Sequence, residues 1–370
     1  MHHTGERVKS REVLGPAVVV GAFYAILLIG LLGVGHHDPR DFIEIGLPYI
    51  ERSQVSPVIR VDTSYHGYLR GDGYDGQFYF YLAQDPFLTR PTTAASLDNT
   101  FRVRRILYPL LAWALSLGRR AALPWVLLAL NVAAASATIG LAGWAAARRG
   151  RSAWWALLLA AYAGIWIPVL LDLTEPLQLA LLAAGMLAGS APLLFVAALA
   201  KETAGVALAT EAVRAALARR WRQMLLHAGL AAVYVAWAAF VFLAVKGTVY
   251  NELGAHFLDP PGAPFRLLLT QGPAHALVLA PAILVCLLAL GRPLVARDGA
   301  AWAAAAYGLL ALGAGNDTWL DPAAFYRVTA GALLLTFLSW CLRGDRWGLA
   351  ALLVGAFSGA LALPAVLAGG

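Results

Sequence analysis

The sequence predicts an all-α polytopic membrane protein, and three observations carry that prediction. Of 370 residues, 60% are hydrophobic and only 13% are charged, against about 25% charged in an ordinary soluble domain. Apolar runs long enough to span a bilayer recur along the whole chain. Arginine clusters punctuate those runs at intervals that suit alternate crossings, and the net charge of +7 fits arginine-rich cytoplasmic loops. No basic-aromatic motif for nucleic acid is present. Cys286 and Cys341 lie inside apolar runs and are too few and too buried for a disulfide framework.

Taken in order, the first span runs from Val13 to Val34. Arg7, Lys9 and Arg11 precede it, so the N-terminus is expected in the cytoplasm. No small-x-small cleavage site follows, which reads as an uncleaved span. A polar loop of about 70 residues, His36 to Arg105, then occupies the outer face, and loops that long are usually functional or disordered. Its aromatics, glycines and prolines come in non-repeating order, so a folded loop with short helices is expected. Ile106 to Leu117 is too short to cross and should lie on the membrane between Arg104-Arg105 and Arg119-Arg120.

The later runs are Leu123–Ala147, Trp154–Leu171, Leu173–Gly189, Pro192–Ala200, Gly205–Leu217, Leu225–Val245, Leu267–Leu290, Ala301–Gly313, Val328–Leu342 and Leu349–Leu367. Together with the first span they make about eleven transmembrane helices, with most arginine clusters inside. No repeat of solenoid or inverted type is evident. The chain divides into residues 1–220, with the outer loop at 36–120, and residues 221–370, a set of C-terminal helices.

Polar residues in so apolar a chain are costly and point to function. The most unusual stretch is Gly71-Asp72-Gly73-Tyr74-Asp75-Gly76-Gln77-Phe78-Tyr79-Phe80-Tyr81. Two acids stand among three glycines before a short aromatic helix, which Asp75 could cap and Asp85-Pro86 would end. Asp75 is either that cap or an acid displayed at a membrane-embedded site. Asp172 and Glu175 fall at the outer end of the Trp154 run, where they are helix-capping residues or part of the same site; Pro176 suits the first turn of the next helix.

Lys201-Glu202-Thr203 interrupts an apolar run. The two charges either satisfy each other, or two half-length helices meet there and point Lys201 into a cavity suited to phosphate. Arg327 opens a late span and either snorkels to the interface or serves the site. Arg104, Arg105, Arg119 and Arg120 meet lipid headgroups or recognise a lipid phosphate. His36 and His37 beside Asp38 lack a third ligand at metal spacing. P-loop, Rossmann, HExxH and nucleophile-elbow motifs are absent.

Four landmarks then carry a resemblance. Tyr74-Asp75-Gly76-Gln77-Phe78-Tyr79-Phe80-Tyr81-Leu82-Ala83 resembles a stretch in the first luminal loop of GPI-type mannosyltransferases. It is closer still to a Y-D-G-Q-F-Y-Y stretch in bacterial membrane proteins linked to cell-surface glycopolymers. Arg105-Ile106-Leu107-Tyr108-Pro109-Leu110-Leu111 is similar to the surface helix of that group, and Thr174-Glu175-Pro176-Leu177 to its S/T-E-S-L turn. Ala198-Leu199-Ala200-Lys201-Glu202-Thr203-Ala204-Gly205 is similar to A-L-x-R-P-T-G, with lysine for arginine and glutamate for proline. The pattern covers about the first 220 residues and resembles the GT-C superfamily of lipid-carrier-dependent glycosyltransferases.

The resemblance implies an inner-membrane enzyme that transfers a sugar from a polyprenyl-phosphate carrier to a glycan, glycolipid or protein acceptor at the outer face, with inversion. Asp75 would be the general base. Lys201, Arg327 and Arg105 would bind carrier phosphate. Gln77, Tyr79, Asp172, Glu175, Glu202 and Asp72 would bind sugar or acceptor or hold the cations. No cofactor is expected, and one loop acid without a partner triad is a poor divalent-metal site. Two other classes stand beside this one. A flippase of lipid-linked sugars should show charges at mid-membrane depth and internal repeats. A non-catalytic member of a polysaccharide assembly should lack acid-plus-cation geometry.

Overall fold

The computed structural model describes residues 10–34, 38–46, 73–245 and 270–368. Among them every regular element is helical, and the only extended pairing is a single antiparallel bridge between Ile45 and Gly73. Asp72, His36 and His37 lie outside the described residues.

The helices follow the apolar runs closely. We label them α1 (Ser10–Val34), α2 (Gly76–Gln84), α3 (Phe101–Arg104), α4 (Leu107–Leu115), α5 (Leu123–Ala147), α6 (Leu157–Ala160), α7 (Ala163–Leu170), α8 (Glu175–Ala188), α9 (Ala191–Ala200), α10 (Gly205–Leu217), α11 (Trp221–Val245), α12 (Pro273–Leu290), α13 (Gly299–Leu312), α14 (Asn316–Leu320), α15 (Pro322–Arg343) and α16 (Arg346–Ala368). Five segments are long and apolar enough to cross a membrane: Leu14–Gly33, Arg120–Ala147, Trp221–Val245, Pro273–Val295 and Pro322–Arg343. A sixth arises if the pair Ala153–Ala160 and Ala163–Leu170, bent by 62°, is one span. The remaining apolar helices, such as α8, α9 and α13, are shorter.

Local chemistry sets the ends. Asp298 and Asp321 cap α13 and α15 by accepting from the amides of Ala301 and Ala323, both at 2.9 Å, which satisfies donors the helix leaves free. The bend before α7 falls where Tyr162 takes an extended backbone. Its hydroxyl is held by Thr329 on α15, so the break is fixed by a tertiary contact.

The bundle is built around α15. Within its most apolar 18-residue stretch 89% of the residues are buried, against 17% in that of α11 and 22% in that of α1. It is the least apolar of the five long segments because protein, not lipid, surrounds it. It packs against α7, α12, α13 and α16. Small residues permit these approaches, as is usual where helices meet without a hydrophobic force between them. A Cβ placed on Gly308 of α13 would stand 2.8 Å from the Cys286 carbonyl of α12. A second core sits over the first: Tyr79, Tyr81 and Leu82 of α2 pack with Tyr108 of α4, Leu123 and Leu127 of α5, and Val241 of α11.

Gly308→Val should therefore destabilise the detergent-solubilised protein by about 1–3 kcal/mol, the usual cost of overpacking. Gly30→Val, where the added carbon meets nothing within 4 Å, should leave thermal unfolding unchanged. Equal melting temperatures for the two variants would contradict the α12–α13 packing described.

Candidate active site

The loop segment from Gly73 to Arg105 and the bundle meet at a network of charges. Gly76 makes the meeting possible: a Cβ there would stand 2.5 Å from the Leu171 carbonyl and 3.0 Å from that of Ile43, so only glycine lets the start of α2 lie against the α7–α8 turn. Gln77 locks the loop from behind, accepting from the Gly46 amide at 3.1 Å. Asn99 accepts from the Phe101 amide at 3.1 Å just ahead of α3, the short helix that carries Arg102 and Arg104.

Asp75 sits at the N-cap position of α2, but its side chain makes no capping bond, which corrects the capping expectation. The backbone there is already helical, φ −57°, ψ −29°, so the carboxylate turns away from the helix and into the cation cluster. One oxygen lies 2.8 Å from Arg102 and the other accepts from Arg327 at 2.9 Å. Thr174 likewise occupies the N-cap of α8 without a side-chain bond.

Arg327 is not a snorkelling interfacial residue. It is buried and forks three ways, donating to Asp75, to Glu175 at 2.7 Å and to the Tyr74 hydroxyl at 2.9 Å. The Tyr74 hydroxyl in turn donates a hydrogen bond to Asp321 at 2.8 Å. Glu175 also takes Lys201 at 2.5 Å. Lys201 and Glu202 do not satisfy each other. Two short helices, α9 and α10, meet at the turn Glu202–Ala204, and Glu202 receives Arg105 bidentately at 2.7 and 2.5 Å. Arg105 also donates to Tyr79 at 2.7 Å.

These residues frame a cavity of about 270 Å³. Asp75, Glu202 and Asp321 contribute carboxylates to its wall, and Arg102, Arg104, Arg105, Lys201 and Arg327 contribute cations. Leu310, Ala314, Ala324 and Val328 give it an apolar side. Of the residues singled out in the sequence, Asp75, Arg105, Lys201, Glu202 and Arg327 therefore come together. Gln77, Tyr79, Asp172 and Glu175 stand behind the wall. Gln77 holds the loop, Tyr79 holds Arg105, and Glu175 holds Lys201 and Arg327. Asp172 is fully buried with neither oxygen given a donor, at a left-handed backbone position, φ +48°. Arg119 and Arg120 do not reach the cavity.

Burial would raise the Asp75 carboxyl, but the charges of Arg102 and Arg327 outweigh it and hold the group well below the usual carboxylate range. In Asp85, past the end of α2, burial is again outweighed, here by bonds from Arg90, Thr89 and Thr93 that lower the group. That acid closes a turn and is remote from the cavity wall.

Sequence reasoning passed over Arg102, Tyr74 and Asn99. A signal for Arg102 was present: Arg102 and Arg105 are three apart, the spacing that puts two side chains on one side of a helical turn. Nothing local marks Tyr74, whose role depends on Asp321 and Arg327 across the fold. Among the described residues no three His, Cys, Asp or Glu side chains stand close enough to share a metal ion.

Compared with family models, with curated proteins and with solved structures, the chain matches none.

Removing Arg327 takes one of two charge partners from Asp75 and from Glu175 at once, leaving them Arg102 and Lys201. Arg327→Met should cost about 3–5 kcal/mol, the range for breaking a buried ion pair on one side. Thermal unfolding in detergent measures it, and a loss below 1 kcal/mol would show the network to be slack. The second expectation concerns pH. The folded pKa of Asp75 lies below its unfolded value of about 3.9. Its stabilisation is thus fully present above that unfolded value and is lost only as pH falls through the lower folded one. The melting difference between wild type and Asp75→Asn should stay constant from pH 5 to 8. A difference that shrinks inside this window contradicts the ion pairing.

Proposed function

We propose that the protein is a membrane glycosyltransferase of GT-C type with about eleven spans, the shorter apolar helices crossing in part or as broken pairs. It moves a sugar from a polyprenyl-phosphate carrier to a cell-surface glycan or glycolipid at the outer face of the inner membrane. The observation that carries this reading is the placement of one acid, Asp75, among cations in a cavity between loop and bundle. A flippase has no evident use for an acid clamped at 2.9 Å to Arg327, and a scaffold has no use for the cavity.

The chemistry follows from charge. A phosphodiester donor brings one negative charge to the site. As the anomeric C–O bond breaks, the carrier phosphate gains a second, and preorganised cations stabilise it most at that moment. In the free protein the cations are matched to carboxylates, and Asp75 is a weak base because two guanidinium groups hold its proton affinity down. Phosphate arriving at Arg102 and Arg327 draws them off Asp75. The freed carboxylate then accepts the proton of the acceptor hydroxyl while that oxygen attacks the anomeric carbon from the face opposite the leaving phosphate, with inversion. Glu175 keeps Lys201 and Arg327 aimed throughout, and Tyr79 keeps Arg105.

Purified Asp75→Asn should retain the fold and lose transfer from a polyprenyl-phosphate sugar by at least a hundredfold, the usual scale of a positioned base. Activity near wild type in a folded Asp75→Asn protein would sink the assignment of the base.

A further inference from the structure

The cavity cations are unequal. Arg102, Arg105, Lys201 and Arg327 each bind a carboxylate. Arg104 makes no ion pair among the described residues, and its Nε is buried with no acceptor. A buried donor left without a partner costs as much as a lost hydrogen bond, and an arginine in that state beside a cavity wall calls for an anion. A second orphan lies on the helix that packs on α3. The Tyr234 hydroxyl of α11 is also buried without a partner, one helical turn from Trp237, which bonds the Arg104 carbonyl. Two donors lacking acceptors on two packed helices describe a site for an oxyanion.

The helix that supplies Tyr234 shows where the anion comes from. α11 packs on α3 and α10, and Trp237 donates its Nε1 to the Arg104 carbonyl at 3.2 Å, pinning the arginine to this helix. Most of α11 is uncovered, with Leu226, Val233, Phe240 and Leu243 exposed. A ligand held at Arg104 and Tyr234 thus has an apolar helix face alongside it. A lipid whose head carries phosphate oxygens and whose body is hydrocarbon would match both features.

We infer that Arg104 Nε and the Tyr234 hydroxyl are the docking point for the phosphate group of a lipid, the contact made before the carboxylate-bound cations are disturbed. This rests on the carrier-phosphate reading of the cavity and adds the residues that admit the carrier. It moves first contact from Lys201, Arg327 and Arg105, which are already matched, to the arginine that is not.

The test is titration of the full chain in neutral detergent with farnesyl phosphate, with farnesol and inorganic phosphate as competitors, the bound fraction read by native mass spectrometry. Wild type should bind farnesyl phosphate, and neither competitor should displace it at equal concentration. Arg104→Ala should weaken binding on the order of tenfold or more, as loss of a charge-assisted bond does. Tyr234→Phe, which keeps the ring and its packing, should weaken it about threefold to tenfold. Arg104→Lys should fall between, because it keeps the charge and lacks Nε. Wild-type affinity in both Arg104→Ala and Tyr234→Phe would overturn the docking point and leave the carrier reading standing. Displacement by equal inorganic phosphate would overturn the lipid assignment. No binding by wild type would overturn both readings.

Discussion

Arg327 joins three parts of the chain: α15, which carries it, the loop before α2 and the start of α8. Its guanidinium takes Asp75 and the Tyr74 hydroxyl from the loop and Glu175 from α8. Arginine suits this position because its planar fork offers several donors in fixed directions and stays charged when buried. A lysine could reach one partner well and would leave the others underserved. The surroundings fit the demand. α15 is sheltered from lipid along most of its length, so a charge near its start is desolvated by protein that can answer it with carboxylates.

The same logic explains how a polar loop docks on an apolar bundle. Part of the contact is hydrophobic, where the tyrosines of α2 meet α4, α5 and α11. The rest is ionic and paired: Asp75 with Arg102 and Arg327, Arg105 with Glu202. Burial of such pairs gives little net stability compared with apolar substitutes. What they confer is a set of donors held in fixed directions around the cavity.

Much of this was legible in the sequence. Apolar runs placed nearly every helix to within a few residues, because hydrophobic length and the alternation of arginines are one-dimensional signals. Leu123–Ala147 and Gly205–Leu217 coincide with their runs. The break at Lys201 was visible as charge inside apolar sequence, and the structure resolves its two readings toward the meeting of half-helices. Asp75, Arg105, Lys201, Glu202 and Arg327 were marked for the same reason and do converge. Partnerships were not legible. Lys201 and Glu202 are neighbours in sequence yet choose Glu175 and Arg105, since side chains of successive residues at a helix break point in different directions. Arg102 hid among arginines that look alike in sequence and differ only in the partners the fold gives them. The bend at Tyr162 has no proline or glycine pair to announce it, because its cause is a hydroxyl on α15.

The Asp75–Arg327 bond joins residues 252 positions apart, and Arg105 and Glu202 are 97 apart. A chain that enters its membrane from the N-terminus thus exposes its acid and arginines long before their partner is made. Until α15 arrives, Asp75 has only Arg102 for a charge partner, while Arg105 can already meet Glu202 and Lys201 can already meet Glu175. The bond that ties Asp75 to α15 is consequently a late event of biogenesis, made only in a chain whose later helices have been threaded into place.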